Sequence, residues 1–136
     1  MSEKLSDEAE VLYRQIHPNF MQDGQPSSDR FRPSELDEGQ LSLDRASMTT
    51  PADSHGLYTE NGYASAAVFG VSVGEFGAES INCLSDPLKA TEKQKANPAH
   101  ALADYNGHEA KKHKTIAKRL KQKAVARGQL HPPKPE

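Results

Sequence analysis

A small two-layer α+β domain, with few short strands and a long basic C-terminal helix, is the architecture this 136-residue chain predicts. Three observations carry that expectation. The stretch KKHKTIAKRLKQKAVARG, residues 111–128, sets Ile116, Leu120 and Ala124 on one helical stripe and holds eight lysines and arginines without an acid. The runs QLSLDR, ASAAVFGVSV and AHALADY are short and apolar or alternating, as strands are. A composition of 35% apolar and 6% aromatic residues, with no tryptophan and nine each of glycine and proline, supports only a small core. Helices and strands in no regular βαβ alternation give α+β. One domain over residues 1–130 and an extended proline-rich tail over 131–136 is the expected division.

Taken in order, Leu5, Ala9, Leu12 and Ile16 recur at helical spacing behind Ser6, Asp7 and Glu8, which predicts a helix from Ser6 to about His17–Pro18. The segment from Val11 to Ile16 also reads as a strand. Residues 19–39 form a loop, punctuated by Asp23–Gly24, Pro26–Ser27–Ser28 and Pro33–Ser34. QLSLDR follows as a half-buried strand with Leu41 and Leu43 inward. Thr50–Pro51–Ala52–Asp53 starts a helix with a capping threonine, and Gly56 and Asn61–Gly62 keep it short. ASAAVFGVSV is the main core strand, ended by Gly74, and residues 82–98 are a polar connection. AHALADY is a second core strand. Asn106, with Glu109 three residues on, predicts a capping box for the last helix, which Gly128 terminates.

The net charge of −2 conceals an asymmetry. Residues 1–108 carry 8 basic and 17 acidic side chains, a net of −9, and residues 109–136 carry 9 and 2, a net of +7. Such a split fits a basic interaction tail or a helix laid against an acidic body. No window approaches the roughly 18 apolar residues of a membrane span. The start, Met1 to Glu10, is acidic and polar rather than signal-like, and a lone Cys83 suits a reducing compartment, so a cytoplasmic location is expected.

His17–Pro18, Phe20, Asp23–Gly24, Ser27–Ser28, Phe31, Pro33, Asp37–Glu38–Gly39 and Leu41–Ser42 form a pattern that resembles a group of small uncharacterised bacterial proteins. The resemblance extends through ASAAVFGVSV and AHALADY to the lysine-rich helix. It implies a bacterial intracellular protein and carries no activity or catalytic residue with it.

Two surfaces are candidates for function. His17, Ser27, Ser28, Arg30 and Arg32 lie within 16 residues, and their hydroxyls, loop amides and guanidiniums suit a phosphate or carboxylate, unless the loop is only a surface excursion pinned by Phe20 and Phe31. Lys111, Lys112, Lys114, Lys118, Arg119, Lys121, Lys123 and Arg127 offer dense charge to a nucleic acid or an acidic protein. They equally describe the solvated face of a docked helix, and the interleaved aromatics of a nucleic-acid platform are missing. His100, Asp104 and His108 are spaced by four, but no paired cysteines or His-Glu-x-x-His accompany them, so neither metal nor cofactor is expected. Gly70, Ser72 and Gly74 meet the G-x-S-x-G spacing in a chain too short for the usual hydrolase scaffold. The expectation is therefore a small accessory or regulatory protein that acts by binding a protein partner. The alternatives are nucleic-acid binding through the basic helix, or a small enzyme gathering His17 and Ser28 with Glu75 or Asp104.

Overall fold

The structure, a computed structural model, describes residues 3–34 and 37–133. Strands β1 (Val11–Ile16), β4 (Gln40–Arg45), β5 (Ala67–Ser72), β6 (Asn82–Ser85) and β7 (His100–Asp104) form an antiparallel sheet in the order β5-β1-β4-β7-β6. β2 (Met21–Gln22) and β3 (Gln25–Pro26) make a separate small hairpin. Its turn is Asp23–Gly24, both at positive φ, as a tight Asp-Gly hairpin requires. The helices are α1 (Pro51–Glu60), α2 (Val73–Ala78) and α3 (Ala110–Arg127). No described helix is long and apolar enough to cross a membrane.

The principal core lies between one face of the sheet and α3. Leu12, Ile16, Leu41, Leu43, Phe69, Val71, Ala101 and Ala103 meet Ile116, Ala117, Leu120 and Ala124 there. Val73 and Phe76 of α2 and Phe31 of the Ser28–Phe31 turn complete it. α1 packs over β1 and β5 and reaches the other face, where Gln15 Nε2 donates to Ser54 Oγ (2.8 Å) and Ser54 Oγ donates to Asp44 (2.6 Å). Both sheet edges are covered by the chain itself. Lys4 bridges Leu84 of β6, and His131 bridges Val68 of β5, which blunts edges that would otherwise template aggregation. His131 of the predicted tail thus joins the sheet, and residues 134–136 lie outside the described residues.

Several expectations need correction. Val11–Ile16 is a strand, not the end of a helix, because β1 pairs with neighbours on both sides and five of its six residues are buried. Leu12 and Ile16 share a face in either geometry, so the spacing misled. The apolar run 64–73 ends at Ser72 rather than Gly74. There Ser72 caps α2 in a capping box with Glu75. Within the polar connection 82–98, Asn82–Ser85 is an edge strand. α1 continues through Gly56 to Glu60, capped by Thr50 as expected. α3 begins at Ala110 behind Glu109, since residues 105–108 form a turn (His108 N–H to Tyr105 C=O, 3.0 Å) and the Asn106 amide instead donates to the Glu38 carbonyl at 3.1 Å.

That turn fixes one glycine. Gly39 has φ +80, its carbonyl accepts Tyr105 N–H at 2.8 Å, and a Cβ there would stand 2.0 Å from the Asn106 side chain. Gly24 has φ +78 but open space. Thermal or denaturant melts should therefore rank the two alanine variants, with Gly24→Ala costing about 1 kcal/mol from backbone strain and Gly39→Ala about 2 kcal/mol or more. Equal losses would mean that Asn106 moves aside freely.

Candidate functional site

β1 and β4 pair through Leu12↔Arg45 and Tyr13↔Asp44 and then separate. Backbone carbonyls left by such an opening and withdrawn from solvent need donors. Two arginines supply them. Arg30 donates from Nη2 to the Gln15 carbonyl (2.8 Å). Arg14 donates from Nη1 to the Ser42 carbonyl (3.0 Å) and from Nε to the Arg30 carbonyl (2.7 Å). The Ser28–Phe31 turn is thereby stitched into the gap, held from below by the fully buried Phe31 and by the Tyr105 hydroxyl, which donates to the Phe31 carbonyl. The Arg30 guanidinium also lies 5.4 Å from the Phe20 ring centroid, a cation–π distance.

This arrangement places two guanidiniums side by side. Arg14 is only 8% exposed. Burial, and then the neighbouring charge of Arg30, push its pKa down, with Asp37 and Tyr58 offsetting part of the effect. It stays charged at neutral pH, as arginine does. Among the described residues no carboxylate forms an ion pair with either guanidinium. No acceptor there meets Arg14 Nη2 or Arg30 Nη1, and Arg30 Nε is buried without a partner.

Above the gap lies a cleft of about 730 Å³. Arg30, Arg32 and Pro33 form one wall, and Leu57, Tyr58, Tyr63 and Leu88 contribute another. Tyr13, Arg14, Gln15 and Asp44 lie on the floor. The floor is held by a chain of hydrogen bonds, in which Ser65 Oγ donates to Gln15, and Asp44 accepts from Ser54 and from Asn97 Nδ2 (2.8 Å). A volume in this range suits a small molecule or a short chain segment.

Of the five loop residues expected to bind an anion, only Arg30 and Arg32 line the cleft. Arg32 is partly committed to Asp29 (2.9 Å), an exposed pair of little strength. His17 and Ser27 are local caps: His17 Nδ1 accepts Asn19 N–H and Ser27 Oγ accepts Asp29 N–H. Ser28 opens the same turn and is half-buried outside the cleft. Among the described residues no hydrogen bond joins His17 or Ser28 to Glu75 or Asp104, and none of the four lines the cleft. Sequence reasoning missed Arg14, whose signal was a lone cation between apolar residues in VLYRQI, and the tyrosines of α1 and its end.

On α3, Arg119 clamps Glu79 through Nε and Nη2, and Arg127 donates to Glu75 (2.8 Å) and to the Gly70 carbonyl (2.8 Å). Lys111 sits 3.2 Å from Glu109. Lys112, Lys114, Lys118 and Lys123 are exposed and Lys121 half-exposed, with no acidic partner among the described residues.

The remaining candidates resolve into structural roles. His100 Nδ1 contacts Asp86 at 3.1 Å, and His108 Nε2 contacts the Ser80 carbonyl at 3.3 Å. Among the described residues no group of three or more His, Cys, Asp or Glu is placed to hold a metal. Ser72 does sit at a strand-to-helix turn, but in relaxed extended geometry (φ −81, ψ 159) with its hydroxyl accepting Glu75 N–H. That is a cap rather than a strained nucleophile elbow. Cys83 is 1% exposed, and burial pushes its thiol up to about 12. A disulfide thiol reagent should leave the native protein unlabelled at pH 8 and titrate one thiol in denaturant. Fast native labelling would show that β6 opens readily.

Comparison with protein-family models, with curated proteins and with solved structures finds no match, so the cleft is assigned on its own geometry.

Proposed function

We propose that this protein is an accessory or regulatory binding protein whose cleft seats an anion between Arg14 and Arg30. The observation that carries this reading is the pair of adjacent guanidiniums that line the cleft and have, among the described residues, no carboxylate ion-pair partner. A buried cation is costly unless paired, and a phosphate or carboxylate placed between the two would turn mutual repulsion into attraction. Whether the anion is free or carried by a partner protein, its contacts are the same. The recognition element is rigid, since Phe31, Tyr105 and the Gln15–Asp44 chain hold it before any ligand arrives.

Millimolar pyrophosphate should raise the melting temperature, with sodium chloride at equal ionic strength as the control. At ten times Kd the stabilisation is about 1.4 kcal/mol, a shift of roughly 3–5 °C for a chain of this size. Arg30→Gln, at a half-buried position outside the hydrophobic core, should fold and lose the shift. No shift in the wild type, or an equal shift in the variant, would remove the assignment.

A second reading has its own support in the exposed lysines of α3, which suit a nucleic-acid backbone. Lys111, Lys114, Lys118 and Lys121 fall on one stripe opposite the buried Ile116 and Leu120. Changing these four to glutamine leaves the core face intact, unlike truncation of the helix. Fluorescence anisotropy with duplex DNA and single-stranded RNA from about 50 to 200 mM salt should show a salt slope that falls by up to about 0.9 per lysine lost on DNA and about 0.7 on RNA. Binding that is absent at the lowest salt would leave the lysines a solvated surface.

A further inference from the structure

Resting on the anion-binding reading of the cleft, we infer that its ligand is an aromatic phosphate: the phosphate lies against Arg14 and Arg30, and a flat apolar body extends over Tyr58, Tyr63 and Leu88. Three large apolar side chains stand notably exposed among the described residues, and two of them, Tyr63 (48%) and Leu88 (41%), line this cleft. Scattered single exposures are ordinary, but two on the rim of a pocket that also holds spare guanidinium donors form a surface with two chemistries.

The geometry favours a planar body. Tyr58 and Tyr63 stack on each other, with ring centroids 5.0 Å apart and an interplanar angle of 30°. The pair is fixed in place: Gln94 Nε2 donates to the Tyr63 hydroxyl, while Lys95 joins the end of α1 through Asn61 Oδ1 (2.9 Å) and Glu60 (2.9 Å). A stacked pair held from outside can present a ring face to a further ring, which extends the stack at little ordering cost. Tyr58 and Arg14 line the same cleft, so the aromatic wall and the cationic floor belong to one site. Lys89 adds a further cation at the rim. An inorganic anion would use the arginines and leave the aromatic wall in water. A long flexible acid would satisfy the charge but gain little from fixed ring faces. An aryl phosphate or a nucleoside monophosphate uses both, and the volume of about 730 Å³ admits either.

Isothermal titration with inorganic phosphate, phenyl phosphate and AMP tests this. Phenyl phosphate and AMP should each bind at least tenfold tighter than inorganic phosphate. The double variant Tyr63→Ala, Leu88→Ala, at two exposed positions where folding is little affected, should reduce that advantage below threefold and leave inorganic phosphate unchanged. Measurable AMP binding that is lost in Arg30→Gln and weakened in the double variant supports the inference even where inorganic phosphate is too weak to register. Equal affinities for all three overturn the aromatic body while the anion site stands. AMP binding that the double variant leaves untouched overturns it as well, and no binding by any of the three removes the anion site with it.

Discussion

The opening between β1 and β4 is the constraint from which the rest of the site follows. An antiparallel pair that stops after Tyr13↔Asp44 leaves the carbonyls of Gln15 and Ser42, in part-buried positions, for other donors. Buried carbonyls must be met. The chain meets them with long cationic side chains from β1 and from the Ser28–Phe31 turn. Because Arg14 also donates to the Arg30 carbonyl, the turn cannot lift without unmaking the contacts on both strands. A gap in a ladder thus becomes a fixed cationic floor. Phe31 and Tyr105 lock it from the core side, where α3 packs against the turn.

Charge is distributed by the same logic on α3. The sequence places an excess of +7 in residues 109–136 against −9 before them. The fold uses part of that contrast internally, since Arg119 and Arg127 hold Glu79 and Glu75 and tie α3 to α2 and β5. Burial raises the Glu75 carboxyl pKa, but hydrogen bonds from Arg127 and Ser72 outweigh it, so the group is held below its ordinary value. The corresponding stability is present above the ordinary carboxylate pKa and fades as pH falls through the lowered one. Glu10, bonded by Arg45 and Ser47, behaves alike. On the outer stripe Lys114, Lys118 and Lys121 have no acidic partner among the described residues, and Lys111 contacts only the neighbouring Glu109, which separates the helix into a structural flank and an open one.

What could be read in the sequence was local. Asp23–Gly24 specifies its hairpin turn, Thr50–Pro51 its helix start and Gly128 its helix end, because each motif satisfies backbone groups a few residues away. QLSLDR and AHALADY were legible as strands through alternation. β1 was ambiguous because a strand buried on both faces loses its period of two, leaving Leu12 and Ile16 compatible with either geometry. β6 escaped because four residues beginning with asparagine and ending with serine carry too little pattern. The cleft was invisible for a different reason. Its floor comes from residues 13–15 and 44, one wall from 30–33 and another from 57–63 and 88, so no single segment announces it. Of the loop residues with anion-binding chemistry, Arg30 and Arg32 line the cleft, while His17 and Ser27 cap the local turns.

Arg14 decides between a structural and a functional account of the gap. Its two bonds to carbonyls explain Nε and Nη1. They do not explain the charge, because a neutral amide can donate to a carbonyl without bringing a cation out of water beside Arg30. Apolar replacements for buried ionic groups are often neutral or stabilising, so packing alone gives little reason for a guanidinium at a position 8% exposed. On the proposed reading, the charge would acquire a physical role with an anion in the cleft, which could meet an unspent donor on each arginine. On that argument the cation most awkward for the unliganded fold is the one that would be most useful to the proposed phosphate, and the Ser28–Phe31 turn would hold it ready.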